Sequence, residues 1–210
     1  MNINTQLIVN NRPRTPMKPL YVTIHNTGNP NSTAQANRNY FANTPKAGAS
    51  AHWVVDDKEA ILCVPENEVA WHAGAEGNSQ SIGVEVCEFT DERHEMAYQN
   101  AVKLCAEILK RHNLDATKLT THKRWTGKNC PSKILPIWVK FVSDVGKLMS
   151  GYAVTVNGRK VAMPVKVTGG RTYVQLECED GLRWVRLGSL SLMLGAELTW
   201  NDPVAELIIK

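Results

Sequence analysis

Histidine and cysteine side chains that could bind a metal occur in the first two thirds of the chain. All six histidines lie between positions 25 and 122. His25 ends an apolar run and precedes a turn, which predicts that its ring lies at the rim of a sheet, where ligands usually bind in α/β proteins. His122 and Cys130 follow in a polar segment, and two imidazoles and a thiolate can hold zinc while leaving a fourth position for water. From the residues alone, a hydrogen-bonding histidine and a small buried cysteine explain the same pattern.

Glu85 is a carboxylate inside an otherwise apolar run, residues 82–87 (IGVEVC). It shares a strand face with Gly83 and Cys87. Carboxylates are rarely buried unless they are paired or functional. Two interpretations stay open at this point: an edge strand with a solvated face, or a general base that takes a proton from water.

Alternating strand and helix patterns must position these residues. Period-2 and 3.6-residue patterns predict the elements of residues 1–149, with Ser32 as the cap of the first helix, a hairpin loop at 57–59 and an irregular segment at 120–131. The predicted strands are 20–26, 50–56, 60–64 and 81–88, and the predicted helices are 33–43, 91–112 and one that begins at Pro136. The fold class is therefore α/β, a mixed central β-sheet covered by helices.

A different pattern follows Ser150-Gly151 and predicts a second domain at residues 150–210. Asn157-Gly158 between two alternating runs is a strong hairpin signal. Further short strands are predicted at 173–176, 182–185, 197–200 and 204–209, and a helix at 189–194. This segment is at the small end of domain sizes, and we expect a small α+β module.

Composition excludes several function classes. The 210 residues are 43% hydrophobic and 21% charged, with a net charge of +4, which is typical of globular proteins and excludes a disordered or fibrous chain. No run approaches the roughly 18 apolar residues of a membrane span. Because the charge is dispersed without a basic stripe, no nucleic-acid partner is expected. Five scattered cysteines without a CxxC motif favour reduced thiols over a disulfide framework.

Five short motifs follow one another in the first 148 residues: YVTIHNT (21–27), SAHWVVD (50–56), AWHAG (70–74), SIGVEVC (81–87) and TH…KNCP (121–131). In this order they resemble the zinc-dependent N-acetylmuramoyl-L-alanine amidases of the amidase-2 group. That group is related to bacteriophage T7 lysozyme and to peptidoglycan recognition proteins. The resemblance implies a peptidoglycan hydrolase of the endolysin or autolysin type, which cleaves the amide bond between the N-acetylmuramoyl lactyl group and L-alanine of the stem peptide.

The resemblance also implies roles for five residues. His25, His122 and Cys130 match the ligands of a Zn²⁺ cofactor. Glu85 matches the acidic residue that many bacterial and phage members use as general base, and Lys128 matches a lysine that stabilises the oxyanion. The T7-like branch has a tyrosine in the activating role and no glutamate at the position of Glu85; the string 82–88 (IGVEVCE) fits the glutamate-using branch.

Other residues of the motifs are candidate substrate contacts: Asn26, Thr27, His52, Trp53, Trp71 and His72. His52 and His72 each stand beside a tryptophan, and the motifs suit the walls of a glycan–peptide groove, although structural packing explains them equally well. The alternative role of Asn26 and Thr27 is to cap the end of the strand. His94 and His112 are predicted surface residues of the long helix.

The C-terminal segment carries its own resemblance. Residues 154–161 (VTVNGRKV), 170–174 (GRTYV), 185–187 (VRL) and 194–200 (LGAELTW) resemble the small domain named after the amino-terminal domain of copper amine oxidases. Since residues 150–210 contain no histidine, copper binding is not expected. We expect cell-wall targeting; a passive stabilising or dimerising module is the alternative.

Peptidoglycan is thus the expected partner, and the sequence gives no indication of oligomeric state. The first 18 residues lack a positive cluster followed by an apolar stretch, so no Sec signal peptide is predicted. The expectation is synthesis in the bacterial host cytoplasm and action at the cell wall after release. Two rival readings are a recognition protein that binds peptidoglycan without cleaving it, and a structural zinc domain, which would need a fourth protein ligand.

Overall fold

Residues 1–150 form a continuous part of the computed structural model, which beyond them describes 153–156, 159–161, 165–168, 171–178, 181–193, 197–201 and 204–208. The chain divides into two units, here called unit 1, Met1–Met149, and unit 2, Ser150–Lys210. In the described residues, no helix has both the length and the apolar character needed to cross a membrane.

A six-stranded sheet with helices on its faces forms unit 1. The strands are β1 Asn2–Thr5, β2 Tyr21–Asn26, β3 Trp53–Val55, β4 Glu59–Leu62, β5 Ser81–Val86 and β6 Leu119–Thr121. The helices are α1 Ala34–Asn43, α2 Gly74–Gln80, α3 Arg93–Arg111, α4 His122–Thr126 and α5 Trp138–Ser150. The sheet order is β1-β4-β3-β5-β2-β6, and only β3 and β4 pair antiparallel. The predicted mixed sheet covered by helices is confirmed.

The two faces of the sheet differ because side chains alternate along each strand. Val22 and Ile24 of β2 belong to an apolar core formed with α3 and α5. Phe141 of α5 is fully buried in this core, and its ring packs edge-on against Tyr98 of α3. The alternate residues of β2, Thr23 and His25, lie on the opposite face. The sheet therefore turns an apolar face to α3 and α5 and a partly polar face to the other side.

Several local predictions for unit 1 are wrong. Thr33, not Ser32, caps α1: its Oγ1 accepts a hydrogen bond from the Ala36 amide at 3.2 Å. The segment 120–131, predicted to be irregular, contains the end of β6 and all of α4. Pro136 lies in a short 3₁₀ turn, Leu135–Ile137, and α5 begins only at Trp138. β1 and α2 have no counterpart in the prediction.

Unit 2 is a small α+β unit. Its strands are β7 Ala153–Val156, β8 Arg159–Val161, β9 Val165–Thr168, β10 Arg171–Cys178, β11 Gly181–Arg186, β12 Glu197–Asn201 and β13 Val204–Ile208, and its helix is α6 Leu187–Met193. The described strands form sheets of order β11-β10-β9 and β12-β13-β7-β8. The predicted turn residues Asn157-Gly158 lie outside the described residues, while the strands that flank them pair antiparallel.

Candidate active site

The carboxyl ends of three parallel strands bring the candidate residues together. His25, near the end of β2, lies directly opposite Glu85 of β5 in the sheet register. On the other side of β2, Ile24 pairs with Thr121 of β6, and His122 follows as the first residue of α4. Strand pairing alone therefore collects residues from three distant segments at one edge of the sheet.

The three predicted metal ligands form a compact donor set. The Nδ1 atoms of His25 and His122 are 3.1 Å apart, and the Sγ of Cys130 lies 3.7 Å from Nδ1 of His25. Tetrahedral zinc with ordinary bond lengths requires about 3.3 Å between two nitrogens and about 3.6 Å between nitrogen and sulfur. All three donor atoms lie within 4.8 Å of one another. The two separations from Nδ1 of His25 thus fit a tetrahedral ion, and three protein donors leave a fourth position for water.

Burial sets the protonation states that a metal needs. It lowers the pKa of His25 well below its usual range, and it also lowers the pKa of His122. Both rings are therefore neutral near pH 7 and offer a lone pair. Burial raises the pKa of the Cys130 thiol to about 11, but a coordinating metal deprotonates a thiol outright.

Glu85 and Lys128 line the same cleft, which has a volume of about 140 Å³. Glu85 Oε1 lies 3.9 Å from Nδ1 of His25. The Glu85 side chain is 17% exposed, and its Oε2 accepts no hydrogen bond from the described residues. Burial raises the pKa of Glu85 to about 8, and Lys128 acts in the opposite direction. A carboxyl with such a pKa can accept and release a proton near neutral pH.

Three predicted substrate contacts border the cleft in different ways. Trp71 is 38% exposed and lines it together with Thr27, whose buried Oγ1 has no hydrogen-bond partner among the described residues. Asn26 also borders the cleft, but both polar atoms of its side-chain amide are hydrogen-bonded within the protein. Nδ2 donates to the Val86 carbonyl at 3.3 Å, and Oδ1 accepts from the Lys133 backbone amide at 2.9 Å. Asn26 thereby links the end of β2 to the end of β5 and to the segment after Cys130.

His72 lines the cleft and contacts the His25 ring. Its Nδ1 lies 3.0 Å from Nε2 of His25, and its Nε2 lies 3.1 Å from the Ser81 carbonyl oxygen. Burial lowers the pKa of His72 to about 3, so the ring is neutral. Both ring nitrogens are used within the protein.

His52 and Trp53, two of the predicted substrate contacts, do not line the cleft. His52 is 0% exposed; its Nδ1 accepts from the Gly83 amide at 2.9 Å and its Nε2 donates to the Glu68 carbonyl at 2.8 Å. Trp53 points to the opposite face, into the core with α3, where its Nε1 donates to Glu66 at 2.7 Å. The two neighbouring side chains therefore lie on opposite faces of the sheet.

The two predicted surface histidines are His94 of α3 and His112, which directly follows this helix. The ring Nε2 of His112 lies 2.7 Å from Oε2 of Glu66, so His112 is tied to the loop after β4. His94 is only partly exposed. Neither lines the cleft, which agrees with their exclusion from the predicted site.

A hydrogen-bonded chain that sequence reasoning missed holds α4, and with it His122, against the sheet. Trp125 of α4 donates from Nε1 to Thr23 Oγ1 at 2.8 Å. Thr23 and Ser81 join their hydroxyls at 2.6 Å, and Ser81 Oγ donates to the Gly77 carbonyl at 2.7 Å. The available signal was Gly77, since a glycine often marks the close approach of another group, and a Cβ atom at that position would be 2.8 Å from Cγ of Trp125.

With this geometry established, comparison with known proteins identifies the family. Residues 15–133, more than half of the chain, match the amidase-2 family, described as N-acetylmuramoyl-L-alanine amidase. The chain belongs to the amidase-2 family. The matched segment contains all three candidate metal ligands, Glu85 and Lys128.

Two relatives of this amidase-2 chain come from Bacillus subtilis strain 168. The N-acetylmuramoyl-L-alanine amidase XlyA is 41% identical over 142 residues, which are 65% of this chain and 48% of XlyA. The N-acetylmuramoyl-L-alanine amidase CwlH is 38% identical over 140 residues, which are 64% of this chain and 56% of CwlH. The chain thus spans about half the length of these relatives.

Solved structures show the same amidase-2 fold. The catalytic domain of XlyA superposes with a TM-score of 0.66 at 40% identity, covering 70% of this chain and 100% of that domain. The structure of PlyL gives a TM-score of 0.64 at 34% identity, covering 69% of this chain and 97% of PlyL. The family match ends at residue 133, so the resemblance of unit 2 to the copper amine oxidase module stays a prediction.

Proposed function

We propose that the chain is a zinc-dependent N-acetylmuramoyl-L-alanine amidase. Its substrate is peptidoglycan, and the bond cleaved is the amide between the lactyl group of N-acetylmuramic acid and L-alanine of the stem peptide. His25, His122 and Cys130 hold the zinc. The observation that carries the proposal is the donor spacing of 3.1 and 3.7 Å in a cleft that also contains a carboxylate and an ammonium group.

Zinc bound there supplies Lewis acidity toward the scissile carbonyl and lowers the pKa of a water molecule to about 7. Glu85 takes the proton from the attacking water and delivers it to the alanine amino group as that group leaves. The distance of 3.9 Å between Oε1 of Glu85 and Nδ1 of His25, a candidate ligand atom, supports this role. The Lys128 ammonium faces the negative charge that develops on the carbonyl oxygen.

Unit 2 directs the catalytic unit to the wall in this proposal. Unit 1 contains every residue of the cleft, which leaves unit 2 available for a separate task. A tether to an insoluble polymer raises the effective concentration of the enzyme at its substrate. The protein acts at the cell wall after release from the cytoplasm in which it is made.

Digestion of defined muropeptides, followed by mass spectrometry of the new end groups, tests the proposal. The expected products are a stem peptide with a free alanine amino group and a glycan with a free lactyl carboxylate. A chelator should abolish the reaction and added zinc should restore it. Metal analysis should give one zinc per chain.

Matched variants make this test specific. Lys128→Ala should lose activity and keep zinc, whereas Lys123→Ala should behave like the parent protein because Lys123 is exposed on α4 and does not line the cleft. Stoichiometric zinc with muropeptide binding but no cleavage would instead indicate a recognition protein. Zinc with neither binding nor cleavage would indicate a structural zinc domain.

A further inference from the structure

His72 stands between a candidate metal ligand and the backbone. On one side its Nδ1 lies 3.0 Å from Nε2 of His25. On the other side its Nε2 lies 3.1 Å from the Ser81 carbonyl oxygen. The Ser81 carbonyl, His72 and His25 thus form one hydrogen-bonded chain, which ends at the candidate metal ligands.

The proton positions along this hydrogen-bonded chain follow from the carbonyl. A carbonyl oxygen only accepts, so Nε2 of His72 must carry a proton, and a neutral imidazole then has a bare Nδ1. That nitrogen must accept from His25, so Nε2 of His25 carries its proton. Nδ1 of His25 is therefore left with a free lone pair, and this is the atom that faces His122 and Cys130 at 3.1 and 3.7 Å.

The local chain holds the His72 ring at this place. The backbone amides of His72 and Ala73 both donate to Oδ1 of Asn78 at 2.7 Å. Gly83 of β5 lies against the ring, and a Cβ atom at that position would be 2.7 Å from Cγ of His72. Only glycine leaves room for the ring, so β5 is shaped to accept it.

We propose that His72 is a positioning residue that fixes the tautomer and the ring orientation of His25 and so presents Nδ1 of His25 to the metal. The inference deepens the proposed function and rests on its zinc site. His72 does not ligate the ion, because both of its ring nitrogens are occupied. Hydrogen-bond partners of ligating histidines typically change metal affinity 10–100-fold when they are removed.

Zinc affinity of the full chain, measured by competition with a chromophoric chelator, is the first test. His72→Phe keeps a planar ring but offers no acceptor, and its zinc dissociation constant should rise about 10–100-fold. His72→Asn keeps an acceptor oxygen near the position of Nδ1 and should recover most of the affinity. His112→Phe is the matched control, since it makes the same chemical change away from the cleft; its zinc affinity should equal that of the parent. Equal affinity of His72→Phe and the parent would overturn the proposal.

A second measurement needs neither activity nor a variant. Long-range ¹H–¹⁵N spectra of the chelated, histidine-labelled parent protein report which ring nitrogen carries the proton, and for His25 this should be Nε2. A proton on Nδ1 of His25 would overturn the proposal even if His72→Phe failed to fold. A parent protein that binds zinc and shows this tautomer but cleaves no muropeptide would refute the proposed function and support the role of His72.

Discussion

Replacing Glu85 with glutamine separates catalysis from stability in this protein. The amide has nearly the shape of the carboxylate but cannot take a proton from water. General acid–base groups contribute about 10²- to 10⁴-fold to rate, which corresponds to about 3–5 kcal/mol of activation free energy. We expect kcat to fall by this factor. Zinc content should not change, because Glu85 Oε1 is 3.9 Å from the nearest ligand nitrogen and Glu85 is not one of the three donors.

The same substitution should raise the stability of the chelated protein. Burial raises the pKa of Glu85 from its ordinary value of about 4.5 to about 8. The folded state therefore binds more protons than the unfolded state between these values, and the free energy of unfolding falls as pH rises through this interval. Glutamine lacks this dependence. Parent and variant should unfold alike near pH 4.5, and at pH 7 the variant should be more stable by up to about 3 kcal/mol.

Two assays on the parent protein and the Glu85→Gln variant distinguish a functional carboxylate from a structural one. The first is turnover of a soluble muropeptide with zinc present, and the second is urea unfolding of the chelated proteins at pH 4.5 and pH 7. A loss of activity together with a gain in stability at pH 7 is the signature of a functional carboxylate. If Glu85→Gln keeps normal turnover, or loses stability at both pH values, Glu85 is a structural group and the base must lie elsewhere.

Three further predictions concern the metal, the core and the two units. Cys130→Ala should lose zinc as well as turnover by metal analysis, and a variant with stoichiometric zinc would contradict the ligand assignment. Phe141→Ala should lower the unfolding free energy of unit 1 by about 3–5 kcal/mol in a denaturant titration, because the ring is 0% exposed; a loss below 1 kcal/mol would mean that the core refills the space. A chain that ends at Met149 should fold, bind zinc and cleave soluble muropeptides at nearly the full rate but act more slowly on intact walls, as sedimentation with peptidoglycan and turnover can show. Loss of activity on the small substrate would place unit 2 within the catalytic fold.

The sequence predicts the long elements of this fold because their patterns are long enough to read. The apolar periodicity of α3 and the buried runs of β2 and β5 each extend over six residues or more. α2, with the sequence GAEGNSQ, has no apolar periodicity and two glycines. Its contacts are tertiary, as Gly77 packs against the Trp125 ring. β6 and α4 have only three and five residues, too few for a period to appear.

The candidate site shows the same limit at the level of single side chains. Motif order suggests which residues belong together, but it does not give the face of the sheet on which each lies. His52 and Trp53 are neighbours in a motif, yet one ring binds the Gly83 amide and the other enters the opposite core. Trp71 and His72 form a similar pair, and there one ring is exposed at the cleft while the other supports His25. Such differences depend on strand register and on partners far away in the chain.

The candidate ligands are widely separated along the chain: His25 lies 97 residues from His122 and 105 residues from Cys130. An ion held by all three ties β2 to the segment after β6 and closes a loop of most of unit 1. The unfolded chain cannot keep such a loop closed, so an ion held by these three residues binds the native state almost exclusively. Free zinc at a thousand times its dissociation constant then adds about 4 kcal/mol to the unfolding free energy. The rate at which proteases degrade the protein should therefore fall as the zinc concentration of the medium rises. The medium then helps to determine how long each molecule stays active.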